Sequence, residues 1–222
     1  MFNPKKEPSE KVFSDLKPPS KNQIKEFSLI SLKLAIGLCL LPALYAVTFC
    51  FISELAKLEG AAVRPFVWGV IGFLVIYLFI WEPAIIFKKG QRVLEVIFRF
   101  FAPLVKVAPF VLPIYTILIS IGYFVGLQFF EMKEFIPLFI SGIGFSLALH
   151  LVFCAKTLRS KAGDKLKANY IFGFGCIYIL DALLLSLFFN LAFEHFSFLN
   201  FFNGSYQLSK GICLAVFRQL FM

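Results

Sequence analysis

Three ionisable side chains, Glu82, His150 and Asp181, interrupt stretches of this sequence that are otherwise apolar. An ionisable group held at membrane depth is costly, and such groups commonly carry protons or ions. With helix ends taken from the apolar pattern and a rise of about 1.5 Å per residue, Glu82 and His150 would lie about 8 Å deep, and Asp181 and Ser120 about 16 Å deep. We therefore expect Glu82 to pair with His150, and Asp181 to accept hydrogen bonds from Ser120 or from a nearby tyrosine.

Two interpretations of these side chains stay open. As polar contacts that hold helices together, each would contribute about 0.6 kcal/mol. As a relay, they would pass a proton or an ion, and a degenerate metal site is a related possibility. The remaining candidates, Glu194 beside His195 and Asp164, form no pair with a geometry suited to acid–base catalysis.

The segments that would position these groups are long and apolar. Of the 222 residues, 59% are hydrophobic and 16% are charged, against about a quarter charged in soluble domains. Apolar runs of about 20 residues match a hydrocarbon core of about 30 Å, where a chain must satisfy its own backbone hydrogen bonds by being helical. The sequence therefore predicts an all-α, polytopic transmembrane helical bundle with about five spanning helices. The predicted spans cover residues 29–53, 65–87, 109–130, 136–155 and 170–193.

Basic residues cluster on alternate connections between the predicted spans, and the net charge is +9. One basic connection, 156–169, precedes the last span. The other carries Lys88, Lys89, Arg92, Arg99 and Lys106. This alternation follows the positive-inside rule, which predicts a cytoplasmic N-terminus and a C-terminus outside. The alternation indicates that the positive charge orients the chain in the membrane and meets anionic lipid headgroups. It argues against nucleic acid as a partner.

Three further segments accompany the predicted bundle at 28–195. Residues 1–27, rich in Lys, Pro and Ser, predict a disordered basic cytoplasmic tail. At 88–106 charged residues recur at helical spacing, so we expect an amphipathic interfacial helix with its basic face toward water. Residues 196–222 are expected to form an interfacial tail on the outer face, with a helix from Leu208 to Met222; a re-entrant segment is the alternative. The cysteines are expected to be buried, reduced packing residues.

Three stretches occur in a recognisable order: EPAIIF at 82–87, APFVLPIYTIL at 108–118 and FSLALHLVFCAKTLRS at 145–160. In order and spacing they resemble the bacterial site-2-protease-like membrane metallopeptidases. That family holds zinc with a His-Glu-x-x-His helix, and the resemblance implies that His150 keeps the position of a family histidine. Where the motif should fall, residues 88–100 read KKGQRVLEVIFRF, without a histidine. The resemblance therefore implies a member without the zinc site, because two histidines one turn apart are needed.

Together these observations predict a non-catalytic integral protein of the bacterial cytoplasmic membrane. It would be a degenerate metalloprotease-like scaffold or a subunit of a membrane complex, with no catalytic residue, metal or cofactor. Its partners would be membrane lipids and another membrane protein. The alternative is a small proton- or ion-coupled transporter or channel that uses Glu82, His150 and Asp181. A lipid-modifying enzyme with an unfamiliar site is a third possibility.

The predicted orientation can be tested with reporter tags. Because residues 95 and 162 lie in basic connections, tags inserted beside each should report the same cytoplasmic compartment. Fusions to alkaline phosphatase and to a fluorescent protein at both positions would measure this. Tags that report opposite compartments would contradict the assignment.

Overall fold

The computed structural model describes residues 21–58, 62–101, 108–129, 132–160 and 168–221. Within these ranges every regular element is a helix, so the predicted all-α helical bundle is confirmed. In chain order the helices are α1 (Lys21–Cys39), α2 (Leu41–Leu55), α3 (Val63–Val75, continued by a π-helical turn at Ile76–Ile80), α4 (Ala84–Ile97), α5 (Ile114–Phe129), α6 (Ile136–Arg159), α7 (Ala168–Ala192) and α8 (Phe198–Phe221).

Four helical segments of the described chain are long and apolar enough to cross a membrane: Ser28–Leu55, Val63–Ile80, Ile136–Arg159 and Ala168–Ala192. The remaining predicted span, 109–130, corresponds to α5, an apolar helix of 16 residues. At about 1.5 Å per residue α5 is roughly 24 Å long, which is shorter than a hydrocarbon core of about 30 Å. The bundle therefore contains four full-length candidate spans and one short apolar helix.

The first span is interrupted at Leu40, between α1 and α2. Pro42 lacks an amide hydrogen and its ring crowds the preceding turn, which accounts for the interruption. The Leu44 amide still donates to the Leu40 carbonyl at 2.9 Å, so the chain keeps its helical course. α1 begins at Lys21, so the predicted disordered tail was wrong for residues 21–27. The rest of that predicted tail lies outside the described residues.

The second predicted span, 65–87, ends earlier than expected. The π-helical turn after α3 finishes at Ile80, and the backbone of Trp81 is extended. Pro83 disfavours helical geometry at the residue before it, which accounts for the break. Glu82 therefore lies in the connection to α4 and not inside a span, so its predicted depth was wrong.

α4 corresponds to the predicted amphipathic helix, but it begins at Ala84 and ends at Ile97, where 88–106 was expected. Its buried side rests on the bundle through Phe87, Gly90 and Leu94. The predicted basic face is exposed at Lys88, Lys89, Arg92 and Arg99, and Lys106 lies outside the described residues. Only part of the apolar side of α4 thus packs against the other helices, and Ile85, Val93, Val96 and Ile97 stay exposed.

α3 and α6 pack against each other through two glycines. A Cβ atom on Gly69 would lie 1.9 Å from the Ser141 carbonyl oxygen, and one on Gly144 would lie 2.3 Å from that of Phe66. Small residues of this kind let helix backbones approach closely inside a membrane, where packing rather than the hydrophobic effect drives association. The two helices therefore form a tight pair.

Contacts between helix termini define two ends of the bundle. The Lys33 ammonium donates to Oδ1 of Asn169 at 2.8 Å, which joins α1 to the start of α7. Lys156, near the end of α6, pairs with Glu82. Lys156 and Tyr170, the residue after Asn169, line the same surface depression, so the two contacts lie at the same end of the bundle. We call this the basic end. Glu54 and Lys57 pair at the other end, after α2.

α8 runs antiparallel to α2 and packs along it. At its start the Ser197 amide nitrogen is 3.5 Å from Oε2 of Glu54, and further along Gly204 lies against Cys50. The predicted tail helix, from Leu208, is therefore too short, because α8 is continuous from Phe198. The interfacial position on the outer face and the re-entrant alternative both stay predictions.

Replacing Gly144 with alanine should weaken the contact between α3 and α6. The added methyl group meets a backbone carbonyl that cannot rotate away, and overpacking of this kind costs about 1–3 kcal/mol. The matched control is Gly72→Ala on α3, because a Cβ atom there meets nothing within 4 Å. Thermal unfolding in detergent should show a lower midpoint for Gly144→Ala only. Equal midpoints for the two variants would contradict the close approach.

Candidate functional site

His150 and Asp181 form a buried pair in the middle of the bundle. His150 comes from α6 and Asp181 from α7, and Nε2 of the imidazole lies 3.5 Å from Oδ2 of the carboxylate. Their side chains are 5% and 1% exposed, so the pair is shielded by protein. Ionisable groups at membrane depth characteristically face the bundle interior and pair with one another. This pair has that arrangement.

The Asp181 carboxylate lacks the hydrogen bonds that a buried carboxylate usually has. Within the described part of the chain, neither Oδ1 nor Oδ2 has a hydrogen-bond donor. The 3.5 Å approach of His150 is longer than an ordinary hydrogen bond. Buried polar groups without a partner are rare and call for a reason, such as a functional role or a ligand. Asp181 is therefore the most unusual side chain of the site.

Cys154 lies one helical turn after His150 and completes the cluster. Its Sγ atom is 3.5 Å from Nε2 of His150, and it donates to the Phe110 carbonyl oxygen at 3.3 Å. The Phe87 ring of α4 packs beside the imidazole, with ring centroids 6.2 Å apart. The sequence alone predicts only a packing role for Cys154. The i, i+4 spacing from His150 was the available signal, because such residues share one helix face.

Hydroxyl groups line the α5 side of the site, but they bond to one another and to the backbone. The Thr116 and Ser146 hydroxyl oxygens are 2.9 Å apart. The Ser120 hydroxyl donates to the Thr116 carbonyl at 2.7 Å. The predicted hydrogen bond from Ser120 to Asp181 was therefore wrong, although both residues line the same groove. Serine satisfies its donor within its own helix, one turn back.

The predicted pairing of Glu82 with His150 was also wrong. Glu82 pairs with Lys156, and both side chains are about half exposed, at 44% and 52%. The break at Pro83 places Glu82 at the basic end, where a lysine near the end of α6 reaches it. A pair this exposed is solvated, so it belongs to the surface and not to the buried cluster.

Two cavities reach Asp181 from different sides. The first, which we call the aromatic cavity, lies among α2, α3, α6 and α7 and has a volume of about 200 Å³; its walls include Phe51, Phe66 and Tyr178. The second, the α5–α7 groove, has a volume of about 220 Å³ and includes Thr116 and Ser120. A much smaller cavity of about 10 Å³ lies beneath α4 and reaches His150. The pair is thus approached from three directions.

A hydrogen bond marks the rim of the aromatic cavity. The Thr48 hydroxyl donates to the Leu44 carbonyl at 2.8 Å, and the Thr48 and Tyr178 hydroxyl oxygens are 2.6 Å apart. Because the Thr48 hydrogen is already used, Tyr178 is the donor of this bond. Thr48 lies on the exposed side of α2, so the cavity borders the outer surface of the bundle between α2 and α7.

Within the described residues, no three His, Cys, Asp or Glu side chains are grouped as metal ligands. The segment that should carry the zinc motif in the resembling family forms α4, whose Phe87 touches His150. No protein-family model, curated protein or solved structure matches this chain. The resemblance to site-2-protease-like proteins therefore stays a prediction, and the site must be interpreted from its own geometry.

Proposed function

We propose that this chain is a small proton-coupled membrane transporter in which His150 and Asp181 carry the proton. The observation that carries the proposal is the position of the pair. Two groups that can exchange a proton lie 3.5 Å apart, away from solvent, at a point that cavities reach from different sides. Packing of helices alone would not need a carboxylate whose two oxygens both lack donors among the described residues.

The chemistry of the pair suits proton transfer. A neutral imidazole and a carboxylic acid differ from imidazolium and carboxylate only by the place of one proton, so the proton can move without separating charge over a long distance. The small cavity beneath α4 approaches the imidazole, and its volume of about 10 Å³ is close to the space that one water needs. The α5–α7 groove approaches the carboxylate instead. Proton entry and exit would therefore use different sides of the pair.

Asp181→Asn and His150→Ala should each abolish proton movement into the protein. A pH jump applied to proteoliposomes on a solid-supported membrane should produce a transient current with the wild-type protein, because protonating a group inside the membrane displaces charge across it. The two variants should give only the current of empty vesicles. This readout needs no knowledge of the transported solute.

The matched control is Glu54→Gln, which also converts a buried carboxylate to an amide. Glu54 pairs with Lys57 at the end of the bundle opposite the basic end and lines neither cavity. This variant should keep the wild-type current. Wild-type currents in both Asp181→Asn and His150→Ala would refute the proposal.

A second candidate function, a subunit of a membrane complex, is favoured by α8. Asn200, Asn203, Gln207 and Lys210 are exposed and follow one side of the helix, while Phe201, Ser205 and their neighbours face α2. Amide side chains on a helix within a membrane commonly form hydrogen bonds to another helix. The basic face of α4 would add contacts at the membrane surface.

Asn203→Leu combined with Gln207→Leu should release a partner that binds this side of α8. Native mass spectrometry of the protein purified in mild detergent would measure the loss. Phe202→Leu is the control: this exposed side chain lies about 100° or more around the helix from both Asn203 and Gln207, so the complex should stay intact. A wild-type protein that elutes as a single chain from native membranes would count against this candidate.

A further inference from the structure

We infer that the aromatic cavity binds a small lipophilic ammonium ion, with Asp181 as its counter-ion. The inference rests on the proposed transport function and names the class of solute that this site would accept. It depends on three features of the cavity: its charge, its size and its walls.

The charge of the cavity is set by one residue. Among the described residues that line it, Asp181 is the only one with a charged side chain. Asp181 is 1% exposed and its oxygens have no donors within the described chain. A carboxylate in this position favours a ligand that supplies both positive charge and N–H donors, because charge-assisted hydrogen bonds are the strongest available. A protonated amine supplies both.

The size and walls of the cavity select an apolar body. A dry cavity of about 150 Å³ is sufficient for benzene, so about 200 Å³ accommodates one ring with a short aminoalkyl arm. Phe51 and Phe66, with ring centroids 5.6 Å apart, form part of the wall. Aromatic faces attract cations, most strongly where water is excluded. The Tyr178 oxygen at the rim keeps a free lone pair that can accept from the ammonium.

Proton and ammonium would compete for the same carboxylate. The titratable side chains near it are His150 and Cys154 from α6 and Tyr178 from its own helix. The described lining residues contributed by α2, α3 and α5 carry no charge. Occupation of Asp181 by one cation at a time is the condition for exchanging protons against the solute.

Binding of benzylamine and of benzyl alcohol to the purified protein tests this inference. The two probes have nearly the same shape, and only benzylamine is cationic at neutral pH. Titration calorimetry in detergent should give a benzylamine affinity at least about tenfold higher than that of benzyl alcohol. Asp181→Asn should remove this preference, while Glu54→Gln should retain it. Equal affinities in the wild type, or a preference that survives in Asp181→Asn, would overturn the inference.

Ala182→Leu keeps the test decisive if Asp181→Asn does not fold. Ala182 lines the cavity beside Asp181, so the larger side chain should fill the space and exclude benzylamine without removing the carboxylate. Unchanged benzylamine affinity in Ala182→Leu would also overturn the inference. The outcomes separate the two proposals: pH-jump currents without amine binding reject only the ligand class, and amine binding without currents rejects the proton-coupled transport.

Discussion

A chain in lipid has no water to satisfy its backbone, and every irregularity in this bundle has to be understood against that constraint. Prolines account for two of the irregular points. Pro42 lies just after the break at Leu40 in the first span, and Pro83 follows the end of the second one at Ile80. Within each described helix the backbone amides and carbonyls bond along the helix, as a hydrocarbon environment requires. The break at Pro83 also brings Glu82 to the basic end.

Polar side chains in the interior are subject to the same constraint. The hydroxyls of Thr116, Ser120 and Ser146 bond to one another or to carbonyl groups of their own helices. Among the acids of the described chain, Asp181 approaches a second ionisable group, yet neither of its oxygens has a donor there. This contrast separates hydroxyls that are satisfied in place from a buried carboxylate that is not.

Composition and periodicity were sufficient to predict the helical class and most of the spans, because long apolar runs allow few other structures in a membrane. The partners of the polar groups could not be predicted in the same way. Depth along a helix places Glu82, His150 and Asp181 at approximate levels, but the rotation of each helix about its axis decides which groups meet. That rotation depends on close contacts such as Gly144 against Phe66, which no residue pattern specifies. The break before Pro83 has a local signal, because a proline disfavours helical geometry at the residue before it, here Glu82.

The glycine-mediated contact between α3 and α6 also limits how the molecule can deform. Two backbones in direct contact cannot slide without clashes, so α3 and α6 are expected to move together as one unit. α5 and α7 are separated by a groove, whereas α2 contacts α7 through the hydroxyl–hydroxyl bond at the cavity rim and through the Phe51 and Phe189 rings, whose centroids are 5.7 Å apart. α7 carries Asp181, whereas α6 carries His150. A shift of α7 relative to α6 would therefore change the distance between the carboxylate and the imidazole.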